Sequence, residues 1–81
     1  MKNKKNIDLA YLKEKLPEFI IRSKIKETLE NILPFVYSKK TMEYYDNNNK
    51  GPKKIRIGSK TIVYKKDDFI AWMEQQMHYL N

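Results

Sequence analysis

The sequence predicts a small α+β domain that is mainly helical and contains one β-hairpin. Apolar residues recur at spacings of three and four in four separate stretches, as expected of helices that bury one face. Two runs of β-branched residues flank Gly58-Ser59, between the third and fourth of these stretches, and this pattern is typical of a hairpin. With 81 residues, the chain is long enough for one domain with a modest core.

The N-terminal part is predicted to be a tail that includes one helix. Residues 1–18 are assigned to this tail and residues 19–79 to the folded domain. Apolar residues place a helix over 7–16, and Pro17 disfavours its continuation.

A short extended segment and a second helix are predicted next. Residues 18–22 favour an extended conformation, and Ser23 is predicted to be the N-cap of a helix over 24–33. Residues 35–37 are predicted to form the turn that leads to the third helix.

The third helix is predicted over residues 38–48, with Ser38 as its N-cap. Met42 and Tyr45 are three residues apart and are expected to face the core. The other side of the helix carries mostly polar or charged side chains, namely Lys39, Lys40, Glu43, Tyr44 and Asn47.

The hairpin is predicted from two short strands, 55–57 and 61–64, with Gly58 first in a two-residue turn. The apolar strand residues are expected to pack against the helices, namely Ile55, Ile57 and Ile62 or Val63. This packing would leave Arg56 and Lys60 free.

The last helix is predicted over residues 68–79, with Asp67 as its N-cap. Its apolar residues follow helical spacing and are expected in the core, namely Phe69, Trp72, Met73 and Met77.

The net charge of +7 is confined to one part of the chain. Residues 36–66 hold nine bases and two acids, so this window carries the whole excess and the rest of the sequence is neutral. A basic charge that coincides with one helix and one hairpin favours a phosphate-binding surface over a generally solubilising one.

The residue types disfavour an enzyme, a metal site and a bound cofactor. The chain has no cysteine, and its one histidine, His78, lies near the end of the last predicted helix. Asp67-Asp68 is better explained by a helix start than by acid–base catalysis. No long apolar run follows the basic start, so we expect no signal peptide or membrane span, and a cytoplasmic location.

Residues 19–74 resemble the MerR-like winged helix-turn-helix DNA-binding domains of phage and mobile-element excisionases. Three motifs carry the resemblance: Ser38-Lys39-Lys40-Thr41-Met42, Gly51-Pro52 followed by Ile55-Arg56-Ile57-Gly58, and Val63-Tyr64 followed by Asp67-Asp68-Phe69-Ile70-Ala71-Trp72. One departure is Tyr44, at a position where relatives of this type often carry asparagine.

The resemblance implies sequence-specific binding of double-stranded DNA. Helix 38–48 would be the recognition helix in the major groove, and hairpin 53–64 the wing on the backbone or minor groove. The implied role is that of an excisionase-like architectural factor in recombination or a transcriptional regulator of a mobile element. Its partners would be DNA and an integrase, a recombinase or a second copy. The expected DNA-binding residues are Ser38, Lys39, Lys40, Glu43, Tyr44, Asn47, Lys53, Lys54, Arg56, Ser59 and Lys60.

Each of these roles has a simpler alternative. Glu43 would accept a hydrogen bond from a cytosine amino group or be a surface charge, and Tyr44 would contact a base or be partly buried. Arg56 would enter a narrow minor groove or pair with an acid on a strand. At the level of the whole protein, the alternative is an adaptor in a recombination or replication complex. It would present the apolar residues Tyr11, Leu12, Leu16 and Phe19 to a partner protein or to a second copy.

Overall fold

Residues 9–33 and 37–77, which the computed structural model describes, form four α-helices and a three-stranded antiparallel sheet. The predicted α+β class is therefore confirmed. The elements in chain order are α1 (Leu9–Lys15), β1 (Phe19–Ile21), a 3-10 turn (Arg22–Lys24), α2 (Ile25–Leu29), α3 (Lys39–Asn47), β2 (Ile55–Ile57), β3 (Thr61–Lys65) and α4 (Lys66–Gln76).

Strand β3 lies in the middle of the sheet, between β1 and β2. The predicted hairpin is present, with Ile57 opposite Thr61, but three residues rather than two connect its strands. Gly58 begins this connection at a φ of 70°, a left-handed conformation that glycine adopts without a steric penalty. The extended segment before Ser23 is β1, which pairs along the other edge of β3.

The two faces of the sheet have different environments. Tyr64 is paired with Ile20, and both side chains are fully buried in the core. The residues that alternate with these along each strand point away from the helices, and Ile55 and Ile57 are among them and are exposed. The prediction that these two isoleucines pack against the helices is wrong. Arg56, between them, is paired with Ile62 and projects from the core side of the sheet, where it is exposed.

The hydrophobic core joins all four α-helices to the inner face of the sheet. Leu12 and Leu16 are buried in this core, so the first helix packs with the rest of the fold, against α4. The Lys66 ammonium donates to the Lys13 carbonyl oxygen at 2.7 Å, which ties the two helices together. The core residues are Leu12, Leu16, Ile20, Ile25, Leu29, Leu33, Met42, Ile62, Tyr64, Phe69, Ile70, Trp72 and Met73.

Two predicted helix caps are wrong. Ser23 lies inside the 3-10 turn, and α2 begins two residues later without a side-chain cap. Asp67 lies in the first turn of α4, because the helix starts directly where β3 ends and the Lys66 amide donates to the Glu18 carbonyl oxygen. Both Asp67 and Asp68 are therefore near the positive end of the helix, where a carboxylate is favourable.

Two helices are shorter than predicted. Helix α2 ends at Leu29. The chain then forms turns, in which the Ile32 and Leu33 amides donate to the Leu29 carbonyl oxygen. Helix α4 ends at Gln76. Of the predicted turn at 35–37, only Tyr37 is among the described residues, and His78 lies outside them.

Candidate nucleic-acid interface

The start of α3 is fixed by the predicted cap. The Ser38 hydroxyl accepts a hydrogen bond from the Thr41 amide at 3.2 Å and lies 3.0 Å from the Thr41 hydroxyl. Ser38 is half-buried and engaged in capping. It therefore sets the position of Lys39 and Lys40, both exposed in the first turn of the helix.

The outer side of α3 presents three different hydrogen-bonding groups in one line. Lys40, Tyr44 and Asn47 are spaced four and three residues apart, and all three are exposed. The side chain of Tyr44 is the most exposed of the large hydrophobic residues described, at 62%. An ammonium, a phenol and an amide along one helix face can make hydrogen bonds to the edges of bases.

Glu43 is held by cations of the protein itself. Its carboxylate lies 3.9 Å from the Lys39 ammonium and 3.9 Å from the Arg22 guanidinium. The first of these pairs joins residues one turn apart on the same helix. In this arrangement Glu43 neutralises part of the basic character of Lys39.

The inner side of α3 contains a buried carboxylate, Asp46. One of its oxygens, Oδ2, accepts hydrogen bonds from the Arg22 guanidinium at 2.9 Å and from the Tyr64 hydroxyl at 2.6 Å. The side chain of Asp46 is only 2% exposed. Buried charges require a partner, and here the partners come from the 3-10 turn and from β3. Asp46 thus connects α3 to the middle strand of the sheet.

The other oxygen of Asp46 sets the requirement for glycine at position 51. Oδ1 is buried and has no hydrogen-bond partner among the described residues. A Cβ atom at Gly51 would collide with this oxygen. Because Gly51 has no side chain, the Asp46 carboxylate can occupy the space beside it.

The environment shifts the pKa values of both partners of Asp46. Burial, followed by the hydrogen bond to Asp46, raises the pKa of the Tyr64 phenol well above its usual range. Burial alone would lower the pKa of the Arg22 guanidinium, but its hydrogen bond to Asp46 contributes to a net rise. Tyr64 is therefore a neutral donor, and Arg22 a permanent cation.

The loop after α3 is held by backbone hydrogen bonds and by α4. The Lys50 amide donates to the Tyr45 carbonyl oxygen at 2.8 Å, and Asn49 adopts a φ of 57°. The indole of Trp72 donates to the Lys50 carbonyl oxygen at 2.7 Å. The rings of Tyr45 and Trp72 pack edge to face at 5.3 Å. The route of the chain from α3 into the hairpin is thus fixed against α4.

All the predicted contact residues of the hairpin segment are exposed: Lys53, Lys54, Arg56, Ser59 and Lys60. None of their side chains has an ion pair or a hydrogen bond with the described part of the protein. The structure therefore gives two groups of exposed residues, one on α3 and one on the hairpin, joined through Asp46 and Tyr64.

A groove of about 900 Å³ runs between α2 and α3. Its lining residues are Ser23, Lys26, Glu27, Glu30, Ser38, Lys39, Lys40 and Glu43. Three bases and three acids balance, so the groove has no dominant charge. Both bases of α3 belong to this balanced set, so the unbalanced positive charge lies on the segment that follows α3, from Lys50 through the hairpin to Lys66.

The residues that orient α3 were not predicted from the sequence. Asp46 follows Met42 by four residues and lies on the same inward face, so the helical spacing already placed a carboxylate toward the core. A buried carboxylate predicts a cation or a donor nearby, but not which one. Arg22 and Tyr64, 24 and 18 residues away in the sequence, could be identified only from the fold.

The described residues define a small α+β protein with four α-helices, a three-stranded antiparallel sheet and a basic surface. Within residues 9–33 and 37–77 there is no cluster of three histidine, aspartate or glutamate residues suited to a metal ion. No helix in that part of the chain combines the length and the apolar character needed to cross a membrane. The chain matches no protein-family model, no curated protein and no solved structure.

Proposed function

We propose that this protein binds double-stranded DNA in a sequence-specific manner through a winged helix-turn-helix arrangement. Helix α3 would enter the major groove, and the hairpin from Lys53 to Tyr64 would contact the backbone or the minor groove. The observation that carries the proposal is the outward line of Lys40, Tyr44 and Asn47 on a helix whose inner side is locked by Asp46. A fixed helix with free polar groups is suited to reading base edges.

The charge distribution supports the same proposal. Residues 36–66 contain only two acids, Glu43 and Asp46, and both lie next to Arg22. Arg22 and Lys39 offset these two negative charges in part, whereas the bases of the hairpin are exposed. The electrostatic field of this surface is therefore positive and would attract a polyanion.

The biological role that we propose follows from the resemblance of residues 19–74. It is that of an excisionase-like architectural factor, or of a transcriptional regulator of a mobile element, in the cytoplasm. Such a factor would act on DNA together with an integrase or recombinase, or as more than one copy. An integrase gene beside this one would favour excision, and a divergent promoter would favour regulation.

The test is a mobility-shift series over several salt concentrations with cognate duplex, which a random-sequence selection would identify, and with random duplex. Lys40→Ala and Tyr44→Ala should each weaken cognate binding by about 1–3 kcal/mol without unfolding the domain, because both residues face outward. The matched control is Lys13→Ala, which removes an exposed lysine from α1, away from both groups of predicted contacts.

Three results would count against this arrangement. An equal loss on cognate and random DNA would mean that Lys40 and Tyr44 contact only phosphate. No loss would remove α3 from the interface. No shift of any duplex at low salt would contradict DNA binding itself and favour the adaptor alternative.

A further inference from the structure

The outer face of the sheet, directed away from the helices, is apolar. The register places Ile21, Val63 and Ile55 in one row across the three strands. Phe19 and Ile57 extend this face at opposite edges, and both are at least half exposed. These five residues are called the outer sheet face below.

The outer sheet face has its own partly closed centre. Val63 is buried, yet it is not part of the core between the sheet and the helices. Directly opposed residues on neighbouring strands have side chains in contact, so Ile21 and Ile55 cover Val63 from both sides. Apolar contact is thus continuous across the face, while 37% of Ile21 and 40% of Ile55 remain exposed. A continuous apolar surface of this kind is a candidate interaction site.

The charges around the outer sheet face indicate what would cover it. Every charged residue from position 53 to 65 is basic and exposed, namely Lys53, Lys54, Arg56, Lys60 and Lys65, and of these Arg56 lies on the opposite, core side of the sheet. Lys65 is paired with Phe19 and lies on the outer face itself. A second copy docked face to face would bring two such sets of cations together, and like charges oppose association. The phosphates of DNA would neutralise the cations but would leave the apolar centre uncovered.

We infer that the outer sheet face is a docking surface for an acidic segment of another protein, one that carries apolar side chains among aspartates and glutamates. The apolar side chains would cover Phe19, Ile21, Ile55 and Ile57, and the acids would meet the surrounding lysines. None of its five apolar residues is a predicted DNA contact, although the hairpin lysines beside it also belong to the proposed wing. It adds a protein partner to the proposed DNA binding and does not depend on it.

The test is a selection of random 12-residue displayed peptides against the full chain, followed by affinity measurements on the enriched peptides. The variant Phe19→Thr/Ile57→Thr removes apolar surface from the two half-exposed ends and places threonine, which favours strands, at both positions. A second variant, Lys65→Gln, removes only the charge on this face. The matched control is Tyr44→Ala, which removes an exposed aromatic ring from α3 instead.

The expected peptides are acidic and contain apolar residues. They should bind the Phe19→Thr/Ile57→Thr variant at least about tenfold more weakly, and the Lys65→Gln variant a few-fold more weakly. Peptide binding should weaken as the salt concentration rises, and the Tyr44→Ala variant should bind the peptides as tightly as the original chain does. Circular dichroism melting verifies that each variant is folded, and Lys65→Gln tests the inference if the double variant does not fold.

Several outcomes would overturn this inference. They are the absence of enriched peptides, enriched peptides without an acidic bias, and equal affinity for all variants. A concentration-dependent dimer that the double variant abolishes would assign the face to a second copy. A loss of DNA affinity in the double variant would assign it to DNA. Failure of DNA binding alone leaves the peptide result unaffected, so the two proposals are distinguishable.

Discussion

Helix α3 and strand β2 both carry residues predicted to contact DNA, but the protein holds them in different ways. Helix α3 is anchored by Met42 in the core and by the buried Asp46, which is bonded to Arg22 and Tyr64. Every residue of β2 is exposed, and this strand is held only along its edge with β3. Substitutions on the inner side of α3 are therefore expected to lower the stability, whereas polar substitutions in the hairpin should leave it nearly unchanged. If the proposed function is correct, both kinds of substitution should weaken DNA binding.

The largest expected effect is that of Asp46→Ala. This substitution leaves the partly buried Arg22 without its hydrogen-bonded carboxylate and the buried Tyr64 hydroxyl without an acceptor, and should lower the free energy of unfolding by about 3 kcal/mol. Urea denaturation measures this change. The control, Glu74→Ala, removes an exposed acid of α4 and should change the stability by less than about 0.5 kcal/mol. Similar values for both variants would show that Asp46 does not anchor α3.

The next effect is that of Gly51→Ala. The added methyl group would collide with Oδ1 of Asp46, and overpacking of this kind costs about 1–3 kcal/mol. In the Asp46→Ala background the space is free, so Gly51→Ala should cost much less there. A double-mutant cycle from urea denaturation measures this coupling. Additive effects would mean that the glycine is needed for another reason.

The third effect is that of Tyr64→Phe, which removes one hydrogen bond to Asp46 and should cost about 1–2 kcal/mol at neutral pH. Burial and this bond raise the pKa of Tyr64, so the folded protein keeps a proton that the unfolded chain loses above about pH 10. This stabilisation is complete below about pH 10 and declines as the pH rises further.

Unfolding measured from neutral to alkaline pH should therefore show a smaller alkaline loss of stability in Tyr64→Phe than in the original chain. Tyr44→Phe, at an exposed tyrosine, is the control and should follow the original chain. Identical pH profiles for Tyr64→Phe and the original chain would contradict this role for the phenol.

The smallest effect on stability is expected in the hairpin. Replacing Arg56 and Lys60 with alanine should change the free energy of unfolding by less than about 0.5 kcal/mol, because both residues are exposed and make no ion pair with the described residues. If the proposed function is correct, the pair of substitutions should weaken binding to all DNA sequences. The slope of log affinity against log salt should become shallower by about one to two units. A large loss of stability, or an unchanged slope, would remove the contrast between α3 and the hairpin.

Local patterns in the sequence predicted most of the elements correctly. The Ser38 cap, helix α3, the hairpin and the extended segment that became β1 were all predicted from short-range signals. Such signals work because capping groups, helical spacing and β-branched runs act within a few residues. The two wrong caps, Ser23 and Asp67, lie inside elements rather than just before a helix. Ser23 is part of a 3-10 turn, and Asp67 lies in the first turn of α4, which begins directly after β3.

The direction in which the strands of the hairpin face could not be predicted. Alternation shows that Ile55 and Ile57 lie on the same side of β2, but not whether that side meets the helices. Ile62, Val63 and Tyr64 are three consecutive apolar residues, so β3 gives no alternation that would indicate its inner face. In the folded protein, the face of β3 that meets the helices is the one that carries Tyr64, which is paired with Ile20 and hydrogen-bonded to Asp46.

The sequence by itself determined the α+β class, the place of helix α3 and the hairpin, and the confinement of the net charge of +7 to residues 36–66. Only the tertiary structure decided that Asp46 joins Arg22 and Tyr64, and that an apolar surface faces away from the core. The physical reason is the range of the interactions. Helical spacing, caps and charge are properties of neighbouring residues, whereas a buried ion pair and the packed face of a sheet depend on residues that only folding brings together.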